Sequence, residues 1–202
     1  ITIHNMALWM LSEFGSEELK NEWCPSLSLG KKLASYCLTE AGAGSDAASI
    51  KTSAKKVDDG YVLNGSKSFI SGSGDTDCLI LMARTGEEGA GGISCFLIPA
   101  NTKGIDYGKK EEKMGWKSQP TRIVSLSEVK IPLSNLIGKE GQGFKIAMKG
   151  LDGGRINIAT CSIGTAQAAL TAAQEYMNER EQFGKKIGQF QALQFKLADM
   201  TT

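Results

Sequence analysis

The chain has little histidine, proline and net charge. Its 202 residues include one histidine, His4, and four prolines, and the basic residues outnumber the acidic ones by a single charge. The lone His4 lacks partners for a Ser-His catalytic triad, so we expect it to be structural. The near-zero net charge argues against nucleic-acid binding. No apolar run approaches the length of a membrane span.

The cysteines and the chain ends set further limits. The five cysteines are an odd number without metal-site spacing, which predicts free thiols in a reducing compartment and no bound metal. The chain opens inside an apolar segment without an initiator methionine and stops inside an apolar-periodic stretch. We therefore expect the middle of a longer protein. The lack of a targeting segment then carries no information on location.

The pattern along the chain predicts an α+β, multidomain protein in three parts. Residues 1–34 resemble the end of an N-terminal helical domain, in which Ser16 caps a second helix that Pro25 ends. Residues 35–140 predict a central antiparallel β-barrel or sandwich. Residues 141–202 predict the first helices of a truncated C-terminal helical bundle. The β-prone runs of the central part lie at residues 61–63, 68–71, 78–83, 93–98, 122–126 and 129–131.

The C-terminal part is expected to contain three helices. Phe144–Gly150 predicts a short one, and Asp152 is a suitable N-cap for a long second one. Gly184 is expected to break that helix, and Phe190–Met200 to start the next.

The segment Tyr36–Asp46 begins as an apolar strand and then breaks into small residues that allow a ligand close to the backbone. Gly42, Gly44 and Ala47 fit the dinucleotide pattern G-x-G-x-x-A. That pattern requires a following helix inside a βαβ unit. Here residues 49–65 predict strand, turn and strand, so a Rossmann fold is excluded.

The same segment resembles the flavin loop of the acyl-CoA dehydrogenases, in which an aromatic and Thr-Glu precede a Gly-x-Gly-Ser-Asp turn. Residues 64–72 resemble the family's second flavin segment, where an aromatic covers one flavin face and a hydroxyl residue two positions on approaches the reactive nitrogen. A plain hairpin strand is the alternative, but both segments occur at the family's spacing. The resemblance implies FAD as cofactor, with contacts from Tyr36, Leu38, Thr39, Gly44, Ser45, Phe69, Ile70 and Ser71.

Three further segments resemble the family in the same order. Residues 113–121 resemble a family segment, with a packing turn around a buried tryptophan as the alternative. Residues 151–155 resemble the stretch along bound acyl-CoA, with a surface arginine at a helix start as the alternative. The resemblance implies substrate contacts from Ser45, Asp152, Gly153, Gly154 and Arg155. It also implies flavin contacts, partly to a neighbouring subunit, from Arg180, Gln182, Phe183, Phe190 and Gln191, with a solvated helix end as the alternative.

The position of Gly154 bears on the catalytic base. In some relatives a catalytic glutamate stands immediately before the arginine that corresponds to Arg155, and here that position is glycine. The resemblance therefore implies no catalytic residue within this chain and a glutamate beyond Thr202. We expect the 202 residues alone to be inactive.

The resemblance implies FAD-dependent α,β-dehydrogenation of an acyl-CoA, with electrons passed to electron-transfer flavoprotein. Within the family, residues 70–74, 115–121 and 153–155 most resemble the branch that acts on isobutyryl-CoA, which implies a short branched substrate and a role in valine catabolism. The short/branched-chain branch of the family is the nearest alternative. A truncated flavin-binding module without turnover and an oxidase that uses oxygen stay open. A homotetramer is implied, in the mitochondrial matrix or, for a bacterial protein, the cytoplasm, without nucleic acid or a membrane span.

Overall fold

The computed structural model describes residues 2–202. Its internal contacts divide the chain into two compact units, one ending at Gly154 and the other comprising Arg155–Thr202. Each unit is described by itself, and the division into three domains stays a prediction. Across the described residues, no helix is both long and apolar enough to cross a membrane.

The first unit opens with two helices, α1 (Thr2–Phe14) and α2 (Glu17–Ser28). The predicted cap is confirmed, because Ser16 Oγ accepts a hydrogen bond from the Leu19 N–H. The predicted end at Pro25 is wrong, since α2 continues around this proline to Ser28. Proline removes only one helical hydrogen bond. The buried stripe of Leu19, Trp23 and Leu27 holds the last turn in the core.

His4 is structural, as expected. Its Nε2 lies 3.0 Å from the Leu27 carbonyl oxygen, and its Nδ1 accepts from the Ala34 N–H at 3.1 Å. A neutral imidazole satisfies both contacts, with the proton on Nε2. The ring thus joins both helices to the first strand.

Eight strands form one sheet. They are β1 (Ala34–Cys37), β2 (Ser53–Val57), β3 (Gly60–Ser71), β4 (Cys78–Arg84), β5 (Ile93–Pro99), β6 (Ile105–Tyr107), β7 (Thr121–Pro132) and β8 (Leu136–Ile137). The order is β6-β7-β3-β2-β4-β5-β8, and β1 pairs with β4.

The sheet corrects two details of the predicted β-domain. The strand path does not close into a barrel, and β1 runs parallel to β4 although most pairs are antiparallel. The four runs predicted at 61–63, 68–71, 122–126 and 129–131 are two long strands, β3 and β7, which pair across two register shifts. Bulges interrupt a ladder without ending it, so short apolar runs in sequence underestimate strand length.

Strand β4 is buried on both faces, which explains its continuous apolar sequence. Ile80 and Met82 pack in a cluster with the helices α1 and α2. Leu79 and Leu81 point to the opposite face, into a second cluster with β3, β5 and β7. The sheet is therefore the shared wall of two cores.

The C-terminal part contains one long helix where two were predicted. α3 spans Gly143–Glu179, and Asp152 lies in its interior. Glycine costs a helix only about 1 kcal/mol relative to alanine, which explains why Gly153 and Gly154 do not break it. A two-stranded hairpin, β9 (Glu181–Gln182) and β10 (Lys185–Lys186), and helix α4 (Gln191–Thr201) follow.

Candidate functional site

The Gly-rich segment after β1 folds into a closed turn. Glu40 and Ala43 exchange two backbone hydrogen bonds, of 3.0 and 3.1 Å. Only the short 3₁₀ turn Ala47–Ser49 follows before β2. The structure therefore agrees with the exclusion of a Rossmann unit.

The two predicted flavin segments lie against each other. The Ser68 N–H donates to the Thr39 carbonyl at 2.8 Å. The Lys67 ammonium donates to the Leu38 carbonyl at 3.0 Å and to Glu40 Oε1 at 2.8 Å. The structure thus brings Leu38 and Thr39 beside the stretch that carries Phe69 and Ser71.

Phe69 has an unusual backbone conformation. Its φ is +58°, in the left-handed region that a bulky residue rarely adopts, and it lies where the register of β3 and β7 shifts. The side chain is 67% exposed, whereas Ser68 and Ile70 on either side are buried. Strain of this kind concentrates at functional sites. The bulge therefore presents one aromatic face from a rigid strand.

The neighbourhood of Ser71 is fixed by three hydrogen bonds. Ser35 Oγ donates to the Ser71 carbonyl at 2.8 Å, and Ser73 Oγ donates to the Ile70 carbonyl at 2.8 Å. The Gly72 N–H donates to the Pro120 carbonyl at 2.7 Å. The predicted segment 113–121 thus reaches the end of the second flavin segment.

The alternative of a buried tryptophan in the segment 113–121 is wrong. Trp116 is 60% exposed and has a φ of +52°. Lys113 closes this loop through hydrogen bonds to the Gln119 carbonyl and to Thr121 Oγ1. The loop is held by polar contacts rather than by packing of its tryptophan.

Strand β1 supplies a partly buried tyrosine, Tyr36, whose hydroxyl is buried. The Tyr36 hydroxyl has no hydrogen-bond partner within residues 2–202, and burial raises its pKa. The next residue, Cys37, is fully buried, and burial raises the pKa of its thiol to about 12. It therefore stays protonated near neutral pH and is a poor nucleophile.

A cavity of about 570 Å³ opens next to Asp46, the residue that follows Ser45 in the chain. Arg84 holds its wall, because the guanidinium donates to the carbonyls of Ala48, Ile50, Glu87 and Gly89. Its lining residues are Asp46, Ala48, Ser49, Ile50, Lys51, Arg84, Glu88 and Gly89. Gly44 and Ser45 directly precede Asp46 in the chain but are not among the lining residues.

The predicted substrate residues of α3 occupy consecutive helical positions. Asp152, Gly153 and Arg155 are exposed, and Gly154 lies near Met6 of α1, whose Sδ would be 3.2 Å from an added Cβ. The boundary between the two units falls between Gly154 and Arg155. A role of these residues at the substrate stays a prediction.

The second unit brings together part of the other predicted flavin set. The rings of Phe183 and Phe190 meet edge to face, with centroids 6.2 Å apart. Phe183 and Gly184 both have positive φ, as a two-residue hairpin loop requires, and Phe183 is 92% exposed. The Arg180 carbonyl accepts from the Ile187 N–H at 2.9 Å. Gln182 lies in β9 and Gln191 begins α4.

Sequence analysis missed the buried pair of Lys67 and Glu40. Lys67 is fully buried, whereas every other lysine of the chain is exposed or partly exposed. Strand periodicity contains the indication, because Lys67 follows Tyr61, Leu63 and Gly65 at alternate positions, which share a sheet face. That inward position requires a partner, and Glu40 of the flavin loop supplies it.

The chain matches two models of one family. Residues 35–129 match the middle domain of the acyl-CoA dehydrogenases, and residues 141–202 match their C-terminal domain. The chain therefore belongs to the acyl-CoA dehydrogenase family.

The similar curated proteins include two mitochondrial isobutyryl-CoA dehydrogenases. The protein of Bos taurus is 54% identical over 200 residues, which is 99% of this chain and 48% of the relative. That of Dictyostelium discoideum is 53% identical over 203 residues, or 100% of this chain and 49% of the relative. The chain thus spans about half the length of these relatives.

Solved structures share the fold. Butyryl-CoA dehydrogenase from Megasphaera elsdenii superposes with a TM-score of 0.94 at 44% identity, over 99% of this chain and 53% of that one. A structure from work on the electron transferring flavoprotein of Acidaminococcus fermentans has the same TM-score at 41% identity, over 99% and 53%. An FAD complex of PigA has a TM-score of 0.90 at 34% identity, again over 99% and 53%.

Acyl-CoA dehydrogenases are FAD enzymes, and the residues here fit that cofactor. The structure offers the exposed ring of Phe69 at a β-bulge. The adjacent turn is held by the hydrogen bond from the Lys67 ammonium to the Leu38 carbonyl. The unpartnered buried hydroxyl of Tyr36 lies on the strand that leads into this turn. That Leu38, Thr39, Phe69 and Ser71 hold the flavin ring stays a prediction, with which this arrangement is compatible.

Proposed function

We propose that the whole protein is an FAD-dependent acyl-CoA dehydrogenase that converts a short branched acyl-CoA, such as isobutyryl-CoA, to the 2,3-enoyl-CoA. The observation that carries the proposal is the joining of the two flavin segments by Lys67 and by the Ser68–Thr39 hydrogen bond, with Phe69 exposed beside them. Identity above 50% to two isobutyryl-CoA dehydrogenases supports the branched substrate.

The residues of the chain divide the work between cofactor and substrate. Backbone donors near Leu38, Thr39 and Ser71 would hold the flavin edge and stabilise negative charge there. Phe69 would pack against the ring. Ser45 and Arg155 orient the acyl-CoA, Arg155 through charge-assisted hydrogen bonds.

The reaction also requires a base for the α-proton of the acyl group. Bound FAD supplies the acceptor for the β-hydride. We assign the base to a glutamate outside these 202 residues, because glycine at position 154 offers no proton acceptor. Exclusion of water around such a carboxylate raises its pKa toward neutral pH, which suits a general base.

The proposal extends to partners and location. Electrons leave through electron-transfer flavoprotein, and the active protein is a homotetramer in which Arg180 contacts a neighbour's flavin. The two mitochondrial relatives support a mitochondrial location. A place in the matrix and in valine catabolism is part of the proposal.

Substrate preference is the test. The whole protein is assayed for kcat/KM with isobutyryl-CoA, 2-methylbutyryl-CoA and butyryl-CoA, using an artificial electron acceptor and then electron-transfer flavoprotein. 2-Methylbutyryl-CoA has one methylene more than isobutyryl-CoA, a difference that changes specificity by roughly 10- to 200-fold. Butyryl-CoA is the unbranched isomer of isobutyryl-CoA and tests the preference for branching. We expect isobutyryl-CoA to be preferred. Preference for 2-methylbutyryl-CoA would support the short/branched-chain branch instead, and oxidation of none would refute the activity.

A further inference from the structure

Lys67 is the charged side chain most deeply buried near the candidate flavin site. Its side chain is fully inaccessible, and its Nζ has two acceptors, the Leu38 carbonyl at 3.0 Å and Glu40 Oε1 at 2.8 Å. A buried ammonium without partners would be strongly destabilising. Both acceptors lie in the Gly-rich segment rather than in the strand that carries Lys67.

Glu40 connects the same pair to a third stretch. Its Oε2 accepts from the Lys51 N–H at 2.7 Å, and its Oε1 accepts from the Thr52 N–H at 3.0 Å. Lys51 also lines the cavity next to Asp46. The ion pair of Lys67 and Glu40 therefore joins both flavin segments to the backbone of Lys51 and Thr52.

The charges of the pair are mutually stabilised. Burial acts to raise the pKa of Glu40, but the hydrogen bond and charge of Lys67 and the Lys51 N–H outweigh it and hold that pKa below its ordinary value. Burial lowers the pKa of Lys67, and Glu40 opposes this change. Two oppositely charged groups 2.8 Å apart are the state that this geometry favours.

The contact with Leu38 has a directional consequence. A trans peptide is planar, so its C=O and the following N–H point in opposite directions. Because Lys67 binds the Leu38 carbonyl from the buried side, the Thr39 N–H of the same peptide points away from Lys67. The Thr39 carbonyl, in turn, is held by the Ser68 N–H. The two peptides on either side of Thr39 are thus both fixed by the second flavin segment.

We propose that Lys67 is a positioning residue for the flavin, which acts through the Leu38–Thr39 peptide and sets the direction of its N–H donor. Glu40 balances the charge of Lys67 and does not itself set that direction. The inference rests on the proposed FAD-dependent function. It assigns distinct roles to the two members of the pair, which a merely structural ion pair would not have.

The test uses the whole protein with FAD and compares the variants Glu40→Gln and Lys67→Met/Glu40→Gln with Lys55→Met, a control at an exposed lysine of β2. The Glu40→Gln variant keeps the contact of Lys67 with Leu38 but leaves its charge unbalanced. The double variant removes both charges and the contact. Melting temperature, FAD dissociation constant, flavin absorption spectrum and flavin reduction potential are measured for each.

We expect stability and flavin binding to separate. Glu40→Gln melts at a lower temperature than the double variant yet binds FAD with nearly the wild-type dissociation constant and spectrum. The double variant binds FAD more weakly by on the order of tenfold to a hundredfold, the size of one hydrogen bond to a charged group, and its reduction potential shifts. Lys55→Met matches the wild type throughout.

Two results would overturn the inference. The FAD dissociation constant and reduction potential of the double variant could equal those of the wild type, or they could follow melting temperature across the whole set. If the double variant does not fold, Lys67→Arg replaces it. Arginine keeps the charge, but its longer planar group displaces the Leu38 carbonyl. An unchanged flavin spectrum and reduction potential in Lys67→Arg would then refute the role. A wild-type protein that binds no FAD would refute the proposed function together with this role, whereas a flavin-bound wild type with an unaffected double variant refutes only the role.

Discussion

The candidate flavin site of the first unit, here called the cradle, comprises Leu38, Thr39, Phe69 and Ser71. It differs from the exposed helical region of the second unit in how its predicted functional residues are held. Around the cradle, Leu38, Thr39 and Ser71 are fixed by hydrogen bonds from side chains or neighbouring backbone, behind a buried sheet. In Arg155–Thr202 no described residue is buried, and Ile156, Ile163 and Phe183 are 69%, 69% and 92% exposed.

The difference shows which predictions the chain can support by itself. Leu38, Thr39 and Ser71 are held by hydrogen bonds from other residues of this chain, so the chain itself determines the geometry of their site. Large exposed apolar residues indicate surfaces that other protein segments cover. The chain spans about half the length of its relatives, and the flavin roles of Arg180 and Phe183 stay predictions.

The largest expected effect concerns the activity of residues 1–202 alone. We predict that this chain, produced with added FAD and an artificial acceptor, has no measurable acyl-CoA oxidation, because we assign the base to a glutamate outside it. The whole protein, assayed in parallel, is the control. Turnover by the 202-residue chain would show that it contains a base that we have not identified.

A smaller effect tests the role of the second region in cofactor binding. We predict that Arg180→Ala lowers the FAD content of the whole protein after gel filtration, because the planar bidentate contact to phosphate is lost. Arg180→Lys, which keeps the charge but not the fork, should retain an intermediate amount. Equal FAD content in all three proteins would leave Arg180 as an ordinary solvated residue at the end of a helix.

The smallest effect concerns the strained bulge. Asparagine tolerates positive φ better than phenylalanine, so Phe69→Asn should stabilise the FAD-free protein by about 1 kcal/mol in chemical denaturation. The same variant should bind FAD more weakly, whereas Phe69→Trp keeps an aromatic face and binding. A destabilised FAD-free Phe69→Asn protein would show that the conformation at this bulge carries no strain.

Sequence patterns predicted the hairpin of β2 and β3 well because its information is local. Alternation and turn residues placed these strands around Asp58-Asp59-Gly60, and the family resemblance identified two segments that the structure brings together. The parallel pairing of β1 with β4 could not be predicted in this way. It joins residues 44 positions apart, such as Ala34 and Cys78, and no local pattern specifies such a partner.

Other errors have tertiary causes. Pro25 does not end α2, because the burial of Leu27 outweighs one lost hydrogen bond. Asp152 suits a helix cap by type, but a continuous helix passes through it. The alternation of β3 indicates an inward Lys67, but its partner Glu40, 2.8 Å away, lies in a distant segment that only the fold brings close.

The most direct test of the account is anaerobic mixing of the whole purified protein with isobutyryl-CoA while the flavin absorbance is recorded. The account predicts that the protein carries FAD and that isobutyryl-CoA bleaches its absorbance within the mixing experiment, faster than butyryl-CoA does. A protein without flavin, or a flavin whose absorbance no acyl-CoA changes, would contradict the assignment of this chain's cradle to acyl-CoA dehydrogenation.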